Sequence, residues 1–388
     1  INIKSLIPFE YYLGASFFAV YAAISFMGGL GFEQDAYSHV TLTQEIIGYR
    51  IYLPFFGREY VWLPFYHYLG ASLVLVSGKL VFPVYILRLL SAFCSSFVLI
   101  LVYRWLKQLG VNSLFRVISV LAIGLNAYWL AYSTMSMTDI FTISLLVAWL
   151  YLIDKFLKNH ENKYLAVASV FVLMSVSTRY EAWLFMAIST VFIFVFSNRS
   201  FDLAVRLKKN IVSCLFFAVP SMVFISFWFI YCYLGTGDPL YFTHDPTKFL
   251  WGNSLFFHNI GSSLQELVIN LFLVTGVMWV FPFIQAFKGQ NKPLFSHFSL
   301  LMIFYLVFMV YQLYLGVNAG FVRYWLPFLP LSAIAFGVTS NRYKSKWLIL
   351  FYVIVLVVSV VSSVIGMNQI LADHASYIET FGSDESRL

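Results

Sequence analysis

The chain has 388 residues, of which 61% are hydrophobic and only 11% charged, and its formal charge is +7 at pH 7. This composition excludes a soluble globular domain and marks a polytopic helical membrane protein, because apolar stretches follow one another at the roughly 20-residue length a bilayer core demands. A transmembrane barrel is excluded because these runs lack period-2 alternation, and nucleic acid is excluded as a partner because the basic residues sit in short groups between apolar runs.

In chain order, apolar runs predict twelve candidate spans: Ile7–Met27, Val61–Val76, Val84–Leu106, Phe115–Tyr132, Ile140–Leu157, Tyr164–Ser177, Ala182–Phe196, Ile211–Leu234, Leu267–Phe287, Phe298–Gly316, Tyr324–Val338 and Trp347–Ile365. The first is expected to stay in the membrane as a span, not to be cleaved as a signal peptide. Basic loops recur at every second connection: Arg104, Lys107 and Arg116; Lys155, Lys158 and Lys163; Arg199, Arg206, Lys208 and Lys209; Lys288 and Lys292; Arg342, Lys344 and Lys346. They are expected on the cytoplasmic side. If all twelve runs crossed, Lys4 would lie on the opposite side. Val61–Val76 is the weakest run, interrupted by Pro64, His67 and Gly70, and reads as an interfacial or re-entrant helix on the outer face. The expected fold is all-α and polytopic, with about 11 transmembrane helices (about 10–12) plus outer-face interfacial helices. Acidic residues then gather outside, including Glu33, Asp35, Glu45, Glu59, Asp139, Glu181, Asp238, Asp245 and Glu266, which puts the chemistry on that side.

The first outer loop, residues 28–82, opens with the polar break Gly31-Phe32-Glu33-Gln34-Asp35-Ala36-Tyr37-Ser38-His39. From Asp35 to Gly48, Tyr37, Val40 and Ile47 keep a loose helical spacing, which predicts an amphipathic helix on the membrane surface. Asp35 and Asp139 lie just beyond span boundaries on the same expected side, and acids placed there are costly unless paired, solvated or used. Asp139 also suits an N-cap, since an acid at a helix start satisfies orphan N–H groups. Arg88, Arg179 and Arg323 run against the charge bias at outer span ends. Each calls for a carboxylate, as Glu181 offers Arg179, or an anionic ligand such as phosphate. Arg323 has no acid adjacent in sequence, which favours phosphate.

The largest outer loop, residues 235–266, starts as a turn at Gly235-Thr236-Gly237-Asp238-Pro239 and holds His244, Asp245, Lys248 and His258. Its aromatic residues fit a lid over a pocket at the membrane surface, or an interfacial belt. Cys94, Cys214 and Cys232 all fall in apolar runs without metal-ligand spacing, so neither a disulfide framework nor a zinc site is expected. The sequon Asn198-Arg199-Ser200 falls in an expected inner loop and reads as chance. No P-loop, zinc helix or nucleophile elbow is present.

Together these segments resemble the GT-C superfamily of membrane glycosyltransferases, especially the polyprenyl-phosphate-sugar-dependent branch of protein mannosyltransferases and lipid A aminoarabinose transferases. The resemblance is a constellation: Glu33-Gln34-Asp35-Ala36-Tyr37, then Trp62-Leu63-Pro64-Phe65-Tyr66-His67-Tyr68-Leu69, Leu87-Arg88-Leu89-Leu90-Ser91-Ala92, Met137-Thr138-Asp139, and Arg323-Tyr324-Trp325-Leu326-Pro327-Phe328-Leu329-Pro330. The sequence departs from the family's double proline, with Leu63-Pro64 in its place. It departs also from the adjacent acidic pair of protein mannosyltransferases, since Gln34 separates Glu33 from Asp35. The resemblance implies that Asp35 is the general base on an acceptor hydroxyl and that transfer inverts the anomeric carbon. It implies that Asp139 orients the acceptor or helps hold a metal, although this branch often needs none and no cofactor is expected. Arg323, then Arg179, would stabilise the departing phosphate. Glu33, His39, His67, Arg88, Glu181, His244, Lys248 and Tyr324 complete the candidate substrate-binding set.

The partners implied are a polyprenyl-phosphate-linked sugar, a glycan, lipid or protein acceptor, and membrane lipids. Residues 1–234 are expected to form the catalytic membrane module, and 235–388 the large loop, the later helices and the lipid-donor site. A prokaryotic plasma membrane fits better than the endoplasmic reticulum. A transporter or flippase of lipid-linked saccharides shares the composition, but such proteins commonly carry internal repeats and midplane polar breaks, which are not visible here.

Overall fold

The computed structural model describes residues 8–28, 34–48, 60, 62–78, 81–197, 202–243, 260–289, 291–314 and 322–342, with scattered positions between 350 and 365. Among these residues every regular element is a helix. The chain is an integral, multi-pass membrane protein: six helical stretches are long and apolar enough to cross a bilayer, and shorter apolar helices accompany them.

Helix α1, Phe9–Phe26, follows Pro8, whose fixed φ and missing N–H suit a helix start. It runs against α4, Pro83–Gln108, whose close approach depends on Gly14: a Cβ there would lie 2.5 Å from Ile100. Glu10, buried at the start of α1, takes a 3.4 Å hydrogen bond from Arg104 near the end of α4. Between them stand the expected loop helix α2, Gln34–Gly48, and α3, Phe65–Val76. The segment Val61–Val76 becomes helical only after Pro64, and its twelve helical residues extend about 18 Å, short of the ~30 Å hydrocarbon core. The face α2 turns inward differs from the sequence expectation: Tyr37 is exposed, while His39, Val40 and Thr43 are buried. A loose apolar spacing hid the fact that the packed stripe is mostly polar.

The single span expected over Phe115–Tyr132 is two helices, α5 (Ser113–Gly124) and α6 (Ala127–Tyr132). Asn126 breaks them. Its Oδ1 accepts from Trp129 N at 3.1 Å to start α6, and its Nδ2 donates to the carbonyl of Val274 at 2.8 Å, so the buried amide is satisfied on both sides. Helix α7, Thr138–Asn159, is the central helix, with 78% of its apolar window buried, and it stops at His160 in the left-handed conformation, φ 55°. It packs on α8, Asn162–Val176, which turns sharply into α9, Glu181–Phe196.

Helix α10, Leu203–Thr236, starts earlier than the expected Ile211, so Arg206, Lys208 and Lys209 lie in its first turns, not in a loop. Its 34 residues make about 51 Å, and only 22% of its apolar window is buried, so most of that surface is not covered by the other described helices. Gly237, at φ 78°, ends it as a left-handed cap that an L side chain rarely adopts. The expected outer loop is shorter than residues 235–266, because α11, Ile260–Thr275, already contains Glu266. A 3₁₀ turn then leads into α12, Phe281–Lys288, followed by α13, Lys292–Tyr314. A second 3₁₀ turn, Val322–Trp325, leads into α14, Phe328–Arg342. Helix α14 packs on α5, α12 and α4, where a Cβ on Gly337 would meet Ser119 Oγ at 2.5 Å. One hydrophobic core therefore runs from α1 to α14.

Candidate active site at one end of the bundle

The start of α2, the segment before α3, the start of α7, the α8–α9 turn and the 3₁₀ turn Val322–Trp325 meet at one end of the bundle. Backbone pairing fixes part of this junction: Phe65 N donates to Ser177 O at 3.0 Å, tying the start of α3 to the α8–α9 turn.

Two guanidiniums organise the charges there. Arg179 Nη1 donates to Asp139 Oδ1 at 2.9 Å and Thr138 Oγ1 at 3.1 Å, while its Nη2 and Nε fork onto Glu181 at 2.8 and 3.2 Å. Burial works against this charge, and the Asp139 and Glu181 carboxylates outweigh it and hold Arg179 protonated. Arg323 Nη2 donates to Asp35 Oδ2 at 2.5 Å. This corrects the reading of Arg323 as an arginine without an acid: its partner sits 288 residues away in sequence and comes close only through folding. The Tyr324 ring lies between the two, 5.6 Å from Arg179 Cζ and 5.5 Å from Arg323 Cζ.

Asp139 is not an N-cap. Met137 holds that position, and Asp139 lies in the first turn of α7. Its side chain is 4% exposed, and its Oδ2 is buried with no hydrogen-bond partner among the described residues. Such an atom at the mouth of a charged cluster is unusual, because buried polar atoms are almost always paired. Tyr66, a residue the sequence reading did not single out, buries its hydroxyl beside Ser91 and close enough to Asp139 to feel its charge.

His39 follows Asp35 by one helical turn, and its Nδ1 lies 2.7 Å from His67 Nε2. Trp62 and Tyr66 enclose the pair, with ring centroids 4.9 and 5.6 Å from His39. Burial first, then His67, Arg179 and Arg323, hold His39 well below its ordinary range, and its contact with His67 links the Asp35 helix to α3. Both histidines were expected to bind substrate; the structure places them in contact with each other beside the charged cluster.

Arg88 is not brought to this cluster. Its Nη1 donates to Ser25 O at 3.3 Å, and its guanidinium lies over Tyr85. Glu33, His244 and Lys248 lie outside the described residues. The part of the large loop that is described packs close to the site: Phe242 stacks on Tyr180, next to Arg179, at 4.5 Å, and Tyr180 OH accepts from Trp228 Nε1 at 3.1 Å. Leu63, Tyr231 and Cys232 complete this packed, largely aromatic cluster. Among the described residues, no group of three or more His, Cys, Asp or Glu side chains is placed to hold a metal.

No family model matches the chain, and no curated protein matches it. Solved structures do. The crystal structure of ArnT from Cupriavidus metallidurans bound to undecaprenyl phosphate is similar over 89% of this chain and 62% of that one, at 14% identity and a TM-score of 0.62. The archaeal oligosaccharyltransferase AglB from Archaeoglobus fulgidus, in complex with an inhibitory peptide and a dolichol-phosphate, is similar over 98% of this chain and 59% of its own, at 14% identity and a TM-score of 0.55. The apo state of the same ArnT matches over 85% of this chain and 59% of its own, at 16% identity and a TM-score of 0.52. The chain thus spans about three fifths of the length of these structures. What is common at such identities is the architecture, and the chain has the GT-C fold.

Proposed function

We propose that this chain is an inverting glycosyltransferase that moves a sugar from a polyprenyl-phosphate carrier to an acceptor hydroxyl, at the outer face of a prokaryotic plasma membrane. The observation that carries the reading is the pairing of Asp35 with Arg323 beside Arg179, Asp139 and Glu181 at one end of a membrane helix bundle. An acid and a cation within a few ångströms are what this reaction needs. The acceptor oxygen forms a bond to the anomeric carbon, the carbon–phosphate oxygen bond breaks with its electron pair leaving on the phosphate, and Asp35 takes the acceptor proton. Phosphate is a stable leaving anion, so no general acid is required. Arg323, with Arg179 behind it, stabilises the charge that grows on the phosphate. Asp139, whose buried Oδ2 has no hydrogen-bond partner among the described residues, would orient the acceptor hydroxyl.

Residues 1–234 supply the base and most of the charged cluster, and the stretch after residue 234 supplies Arg323 and the lipid-donor side. The aromatic cluster of Tyr180, Trp183, Trp228 and Phe242 puts an apolar surface of the kind an isoprenoid chain packs against near the charged residues. The structural likeness to ArnT and AglB, solved with undecaprenyl phosphate and dolichol-phosphate, supports the donor class. The acceptor is a glycan, lipid or protein.

The test is transfer from a panel of labelled polyprenyl-phosphate sugars to a crude acceptor extract, with Asp35→Asn alongside. Transfer by the parent chain with a loss of about 10²–10⁴-fold in the variant is expected. Undiminished turnover in the variant overturns Asp35 as the base. Donor binding with no transfer favours a flippase instead.

A further inference from the structure

We infer that His39 and His67 are positioning residues for the base: the hydrogen bond between their rings sets the rotation of α2 that carries the Asp35 carboxylate to Arg323. The inference rests on the transferase reading above and deepens it, giving the two histidines a part in the chemistry without contact with substrate.

One stripe of α2 carries it. Asp35, His39 and Thr43 follow one another at intervals of four, so their side chains leave the helix on the same side. Each meets a different neighbour. Asp35 Oδ2 takes its bond from Arg323 Nη2, and His39 Nδ1 lies 2.7 Å from His67 Nε2. Thr43 fits against α3 where Gly70 leaves room, since a Cβ on Gly70 would stand 3.3 Å from Thr43 Oγ1. Exposure falls along the stripe, from 38% for the Asp35 side chain to 4% for His39 and 0% for Thr43. The carboxylate is thus the outer end of an arm whose next two turns are held by α3.

The contact at His39 is directional. Two ring nitrogens 2.7 Å apart share one proton, one nitrogen donating and the other accepting, so the contact favours one orientation of the rings and one azimuth of α2. An apolar pair of the same size tolerates rotation. Trp62 and Tyr66 enclose the two imidazoles, and burial from water strengthens the bond. The lever is sensitive: a carboxylate stands roughly 5 Å from its helix axis, so a turn of about 20° moves it by about 1.7 Å. A displacement of about 1 Å can cost on the order of 10²-fold in rate.

The test separates turnover from binding in the full chain, in detergent or nanodiscs. His39→Phe keeps the ring and removes its nitrogens, and should lower transfer at saturating substrate by about 10-fold or more, with affinity for radiolabelled undecaprenyl phosphate held within about 2-fold. His39→Asn, whose amide can occupy the place of Nδ1, should recover most of that loss. In an Asp35→Asn background, His39→Phe should lower the residual rate no further, because it acts through the carboxylate. If His39→Phe does not fold, His67→Leu and its conservative counterpart His67→Gln replace the pair of variants. Undiminished turnover, a loss expressed as weaker donor binding, an equal further loss without the Asp35 carboxylate, or no recovery in either conservative variant overturns the inference and leaves the transferase reading intact. Absence of transfer by the parent chain overturns both.

Discussion

Asp139 and Asp154 lie on the same helix, α7, and are equally buried, at 4% and 5% exposed, yet they are treated in opposite ways. Asp154 Oδ2 receives hydrogen bonds from Trp105 Nε1 at 3.0 Å, Gln108 Nε2 at 3.1 Å and Lys158 Nζ at 2.8 Å. Three donors satisfy this one oxygen, and it fastens α4 to α7. Asp139 has one oxygen on Arg179 and the other left without a partner among the described residues. Burial alone therefore does not separate the two acids. The distribution of donors does: a buried oxygen left without one costs stability in a low-dielectric site, a cost Asp154 Oδ2 avoids by gathering three donors.

Four experiments sharpen or break this contrast. The largest effect is kinetic. Asp35→Asn is expected to reduce transfer by about 10²–10⁴-fold, whereas Asp154→Asn leaves turnover per folded molecule unchanged. Equal losses in both would dissolve the distinction between the two ends. Next, Arg179→Ala leaves Asp139 and Glu181 facing each other without a cation, and should destabilise the fold by about 3–5 kcal/mol, read as a lowered melting temperature in detergent. At the opposite end, Asp154→Ala leaves the buried Trp105 N–H without its acceptor, for a smaller loss of about 1–3 kcal/mol. A destabilisation by Asp154→Ala larger than that by Arg179→Ala would contradict the ranking.

The smallest effect is the pH response of the histidine pair. An unfolded imidazole takes up a proton near pH 6.5, and folded His39, held well below that, resists it. Stability is thus complete above about pH 6.5 and declines as the pH falls below it, by at most about 1.4 kcal/mol per pH unit for one site. His39→Gln should flatten the acid limb of a melting-temperature profile, and an unchanged limb would assign it to other groups.

Much of this was legible in the chain. Asp35, Asp139, Arg179, Glu181, Arg323 and Tyr324 stand out because charge beside apolar runs is rare and expensive, and folding brings all of them to one place. Arg88 bears the same sequence mark, but its helix face delivers it to the end of α1 at Ser25. Boundary position fixes depth along a helix axis and leaves its azimuth open. Tyr66 was passed over for the converse reason: a tyrosine in an aromatic segment looks like any interfacial ring until its hydroxyl is seen buried near Asp139. The break at Asn126 was missed because Leu125 and Ala127 keep the run apolar on both sides of one amide.

By itself the sequence determined the membrane class, the helical content, most helix positions and the end of the bundle where acids and arginines collect. These follow from local quantities, the length of apolar runs and the solvation cost of charge. Only the tertiary structure decided the partnerships: Arg323 with Asp35, Arg179 between Asp139 and Glu181, His39 with His67. A guanidinium binds any carboxylate of suitable geometry, so its partner is chosen by which helix ends the packing of α2, α7, α9 and α14 brings within hydrogen-bond reach, and no local pattern encodes that choice.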